Sequence, residues 1–65
     1  MRGTVESFDE EVGLGTVRSR QGALFPFHST QIEDGTRRIA VGTAVTFDVV
    51  AGHRGQWEAA ALSRC

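Results

Sequence analysis

The sequence predicts a small all-β domain, a five-stranded antiparallel barrel, and three observations carry that prediction. Eight glycines and one proline punctuate the 65 residues at short intervals. Between them lie runs rich in Val, Thr and Phe, which suit a pleated, half-buried surface. The clearest run, Ala44 to Ala51, sets Val45, Phe47 and Val49 against Thr46, Asp48 and Val50. That period of two is the pattern of a strand with one buried face.

Strand one is predicted from Arg2 to Phe8; Asp9-Glu10-Glu11 turns the chain and Gly13 marks its return. Strand two follows from Leu14 to Arg20, with Gln21-Gly22 as the next turn. Strand three is Ala23 to His28. Its Pro26 removes one ladder donor, so this strand should be edge-like or bulged. Ser29 to Thr43 is the longest irregular stretch, turning at Glu33-Asp34 and broken at Asp34-Gly35 and Gly42, with at most one helical turn at Ser29 to Gln31. Strand four is Ala44 to Ala51, and Gly52-His53-Arg54-Gly55 turns into strand five, Gln56 to Leu62. Glu58-Ala59-Ala60-Ala61-Leu62 has helical propensity, but so few residues after a glycine turn cannot stand as an uncapped helix. If alternation holds along strand five, Trp57 faces away from Glu58, Ala60 and Leu62. Five strands with a long connection between the third and fourth match the OB-fold barrel. Such a barrel closes on itself, buries its inner face, and leaves the outer face of strands two and three for a ligand.

Composition bounds the function. A chain of 65 residues is one domain, 1–65, and buries only about 60% of its unfolded surface, which leaves little room for a deep substrate cleft. Cys65 is the sole cysteine, so no internal bridge forms. His28 and His53 stand far apart without a cysteine pair, which argues against a metal site. No apolar run reaches the roughly 18 residues of a membrane span, and the N-terminus lacks a signal-peptide core. A free thiol suits a reducing compartment, so a cytoplasmic setting is expected. No nucleophile–base order or phosphate loop is present, and Gly13-Leu14-Gly15 lacks the third glycine and helix of a dinucleotide fingerprint. The chain is accordingly read as a binding protein without cofactor, not an enzyme. Net charge is −1, so no global basic field is present, yet all seven basic residues are arginine. Arginine stacks on bases and forks onto phosphates; an arginine-favouring genome would give the same composition.

The order of short motifs resembles the bacterial cold-shock domain family from Met1 to Leu62. Arg2-Gly3-Thr4-Val5 is similar to its G-x-V start, and Phe8-Asp9 to its F-N/D. Val12-Gly13-Leu14-Gly15-Thr16-Val17 looks like a degraded form of its first nucleic-acid-binding motif, K-G-F-G-F-I. Phe25-Pro26-Phe27-His28 lies where the second motif, V-F-V-H-F, would be. Gly42 to Val49 is similar to G-x-x-V-x-F-x-V. Gly52-His53-Arg54-Gly55 followed by Ala59-Ala60-Ala61-Leu62 looks like G-N-R-G-P-Q-A-A-N-V with one extra residue.

The resemblance implies a binder of single-stranded RNA or DNA with weak sequence preference, in which outward aromatics stack bases and basic residues track phosphates. Its role would be keeping RNA unstructured or modulating expression. Several family platforms are replaced here: Glu6 and Ser7 stand for a lysine and a tryptophan, Leu14 and Thr16 for two phenylalanines, and Val12 for a lysine. The expected affinity is therefore reduced, since each stacked base is worth about 1–3 kcal/mol. Candidate binding residues are Phe8, Leu14, Thr16, Arg18, Phe27, His28, Arg37, Arg38 and Trp57, with Arg20 a further candidate phosphate ligand. Phe8 is either a base platform or a lid on the barrel; His28 is a base contact or an exposed polar residue. Strand three has two registers. An ungapped match turns Phe25 and Phe27 inward and Pro26 outward; a shift of one residue turns both phenylalanines outward. The ungapped match keeps two identities without an insertion and is preferred. Trp57 has no counterpart in the family pattern. It reads as a relocated platform, a rim residue, or the anchor of a protein partner or of self-association. That last possibility is the rival function: the same fold as an interaction module that has given up nucleic acid.

Overall fold

The computed structural model describes residues 1–33, 35–52 and 55–65. Five strands form one antiparallel sheet in the order β3-β2-β1-β4-β5. They are β1 (Arg2–Asp9), β2 (Leu14–Ser19), β3 (Leu24–His28), β4 (Ala44–Ala51) and β5 (Trp57–Arg64), with a 3₁₀ turn at Ser29–Gln31. All five expected strands are present, as is the helical turn expected at Ser29 to Gln31. The alanine run of β5 is strand, paired with β4 through Ala59 and Ala60. Parts of the expected turns at Asp34-Gly35 and Gly52-His53-Arg54-Gly55 lie outside the described residues.

Local chemistry explains the turns. Asp9 Oδ1 accepts the Glu11 N–H (3.0 Å) and the Asp9 carbonyl accepts the Gly13 N–H (2.8 Å). Gly13 then takes φ +77°, a conformation that favours glycine, and starts β2. Pro26 lies in β3, which pairs with β2 alone and is a sheet edge, where a missing donor costs least.

The core comprises Val5, Val17, Phe27, Val45, Phe47, Ala59 and Leu62 from the strands. Ile32 and Ile39 join it from the long connection, which thus carries more than a link between strands. Phe8, Phe25 and Val49 pack against its margin.

The barrel differs from expectation in how it shuts. Among the described residues no ladder joins β3 to β5, and the sheet is open between these two edges. The gap is bridged instead by the segment after β3. Ile32 bridges Leu62, the Glu33 N–H donates to the Leu62 carbonyl (2.8 Å), and the Ala61 N–H donates to Gln31 Oε1 (3.2 Å). A β-bulge makes this possible. The β4–β5 register shifts between Thr46 and Asp48, and Ala61 takes φ +53°. The bulge reverses the alternation, so Leu62 turns inward with Ala59 rather than outward with Ala60.

Candidate functional site

Pairing fixes which side chains share the outer face, because directly opposed residues point the same way. Three rungs run across β1, β2 and β3: Asp9–Leu14–His28, Ser7–Thr16–Pro26, and Thr4–Arg18–Leu24. Leu14 is 50% exposed and Leu24 52%, and Pro26, Arg18 and His28 are exposed. Gly15, Val17 and Ser19 alternate with them and are buried. Leu14, Pro26, His28, the edge of Phe27 and Glu58 line an open groove of about 350 Å³.

His28 is held rather than free to rotate. It caps the 3₁₀ turn, its Nδ1 accepting the Thr30 N–H (3.2 Å), with Thr30 Oγ1 at 3.0 Å. An acceptor at Nδ1 assigns the ring proton of the neutral imidazole to Nε2, which can donate to a base or phosphate.

Arg18 shares the outer face with Leu14 and Thr16 but is not a free cation. Its Nε donates to Glu6 Oε1 at 2.7 Å. Glu6 reaches it from a bulge in β1, where the register shifts between Val5 and Ser7. The hydrogen bond and charge of Arg18 hold the Glu6 carboxyl below its ordinary range, and Glu6 raises the Arg18 guanidinium in turn. Arg38 lies 3.4 Å from Glu10, both side chains exposed. Arg37 is exposed, with φ +56°. The long connection thus brings Arg38 to the turn beside the Asp9–Leu14–His28 rung.

Two candidate aromatics lie elsewhere than on the outer face. Phe27 is 2% exposed and points into the core, which settles the register of β3 in favour of the ungapped match. Phe8 pairs with Gly15, and Gly15 with Phe27, so all three share the inner side. The Phe8 and Phe27 rings stack at 5.8 Å, 5° from parallel. Gly15 permits this, since a Cβ there would sit 2.5 Å from the Phe27 ring. Phe8 is therefore a half-buried lid. Phe25 packs on Phe47 (5.9 Å), so all four phenylalanines serve the core side. Trp57 is 60% exposed at the start of β5 but does not line the groove; its neighbour Glu58 does.

The structure therefore brings Leu14, Thr16, Arg18 and His28 together, sets Arg38 nearby, and leaves Phe8, Phe27 and Trp57 off the face. Sequence reasoning missed Glu6 as a partner of Arg18 and Glu58 as a groove residue. Neither carries a local signal, because a bulge and an edge-to-edge approach place them.

The family profile described as "'Cold-shock' DNA-binding domain" matches residues 1–64. Among solved structures, drosophila Unr CSD456 superposes with a TM-score of 0.75 at 26% identity, over 98% of this chain and 26% of that one. The present chain thus spans about a quarter of the length of that structure.

Proposed function

This chain belongs to the "cold-shock" DNA-binding domain family over residues 1–64, and from that premise we propose that it binds single-stranded RNA or DNA on the outer face of β2 and β3. The observation that carries this reading is the three-rung outer face, where Leu14, Pro26 and His28 lie in register beside Arg18. Leu14 and Pro26 offer flat apolar contact to a base, His28 Nε2 offers a donor, and Arg18 and Arg38 offer charge to phosphates. Such contacts need unpaired base faces, so a duplex is a poor ligand.

Affinity is reduced and sequence preference weak. Each base stacked on an aromatic contributes about 1–3 kcal/mol, and Phe27, the phenylalanine that borders the groove, is only 2% exposed. Glu6 occupies Arg18, and Glu58 lines the groove with a charge of the same sign as phosphate.

Anisotropy of a labelled single strand, titrated at low salt, tests this. Saturable binding that weakens with salt, with little binding of the matching duplex, is the expected result. Equal binding of both forms, or none, would remove the proposal. A second reading rests on Trp57, whose ring is 60% exposed opposite Ala51 and suits a protein partner or a second copy of the chain. On the nucleic-acid reading, Trp57→Ala leaves oligonucleotide affinity unchanged.

A further inference from the structure

The outer face continues past its third rung into a second concavity. Arg2, Thr4, Arg18, Arg20 and Ala44 border an open basin of about 350 Å³, with Cys65 at its rim. Pairing explains how residues distant in sequence meet here. Thr4 opposes Arg18 on one side and Ala44 on the other, and Arg2 lies two residues before Thr4 on the same strand. Thr4 and Ala44 are small, so the three arginines stand around a low floor.

The basin's charge is one-sided. No lining residue is acidic. Glu6 approaches Arg18 only through Nε. Arg2 and Arg20 have no carboxylate partner among the described residues. Three guanidinium groups around one cavity, countered by Glu6 outside its lining and by the main-chain carboxylate of Cys65 at its rim, leave an excess of positive charge that favours an anion. Guanidinium forks match phosphate and carboxylate oxygens alike, and of these two the strand on the groove carries phosphates. Leu14, Thr16, Arg18 and Arg20 follow one another at every second position along β2 and its exit. An extended strand on the groove therefore leads directly to the basin, which begins about 14 Å from Leu14 at Arg18 and reaches Arg20 at about 20 Å, at roughly 3.4 Å per residue.

We propose that the Arg2–Arg18–Arg20 basin holds backbone phosphates of the same single strand whose bases lie on Leu14, Pro26 and His28. This deepens the nucleic-acid reading and rests on it. It divides the face into an end that contacts bases and an end that contacts only the backbone.

The salt dependence of binding tests the division. Each neutralised phosphate of a single strand contributes about 0.7 to the slope of log affinity against log salt. The probe is an oligothymidylate of about 8 nucleotides, within the roughly 4–16 that one OB-fold occupies. Arg2→Gln with Arg20→Gln should lower the slope by about 1.4, and each single change by about 0.7. Both arginines are exposed, so the fold should be unchanged, which the far-ultraviolet spectrum checks. Binding by the parent with an unchanged slope in the double variant would overturn the basin and leave the groove standing. Failure of the parent to bind would overturn both readings.

Discussion

The two faces of β2 and β3 differ more than any other two regions of the molecule. On the inner face, Val17, Phe25 and Phe27 pack with Val5, Phe47 and Leu62, and Gly15 leaves room for Phe8 to stack on Phe27. On the outer face the same strands carry Leu14, Thr16, Arg18, Leu24, Pro26 and His28, with no aromatic carbocycle among them. The fold depends on the first set and the ligand on the second. A chain can therefore keep the family's architecture while its binding strength drifts, because side chains on opposite faces of one strand change independently.

The largest effect separates the faces by stability. Phe27→Ala removes a ring that is 2% exposed and should cost about 3–5 kcal/mol, enough to unfold a domain this small at 37 °C. Leu14→Ser, one strand away on the outer face, should shift stability by about 0.5 kcal/mol or less and instead weaken oligonucleotide binding. Thermal melts followed by circular dichroism check both.

Restoring outer rings sharpens the same contrast. Leu14 and Thr16 share one face two residues apart. Leu14→Phe with Thr16→Phe should tighten single-strand binding at least tenfold, on the basis of about 1–3 kcal/mol per stacked base. The melting temperature should stay near that of the parent. If the folded variant binds no better, these positions do not meet bases.

How much of this the sequence disclosed depends on where a strict alternation holds. In β4, Val45, Phe47 and Val49 alternate as read, and β2 alternates from Leu14 to Ser19. Fold, strand order in the chain, and the outward set Leu14–Thr16–Arg18 were legible for that reason. Two bulges defeat the same logic. Counting from buried Val5, alternation would turn Phe8 outward, but the shift between Val5 and Ser7 turns it inward onto Phe27. The bulge at Ala61 does the same for Leu62. A bulge inserts one residue into a ladder, and whether it does so depends on the partner strand, which a single sequence does not show. The open barrel was hidden likewise, since Gln31, Ile32 and Glu33 bridge its edges from an irregular segment.

Ala61 offers a test of the second bulge. A non-glycine residue at φ +53° carries about 1–2 kcal/mol of backbone strain. Ala61→Gly removes that strain and returns part of it as lost chain entropy, for a net gain of about 0.5–1 kcal/mol. The melting temperature should rise by a few degrees, and a fall would show that the bulge is not strained.

The smallest effect concerns Glu6. Glu6→Gln frees Arg18 and removes a charge that repels phosphate, so affinity should rise about two- to fivefold, the scale of an exposed pair. The pH dependence has a fixed sign. Glu6 is depressed by Arg18, so the pair's contribution to stability is present above the ordinary glutamate range and is lost as pH falls through the lowered value. Acid melts of Glu6→Gln should lack that component.

The outer face of β2 and β3 as the binding surface is tested most directly by amide chemical-shift mapping during titration with a single-stranded oligonucleotide. The largest changes should fall on Leu14, Thr16, Arg18, Leu24 and His28, with Ala51 and Trp57 unmoved. Changes centred on Ala51 and Trp57 and absent from β2 would contradict it.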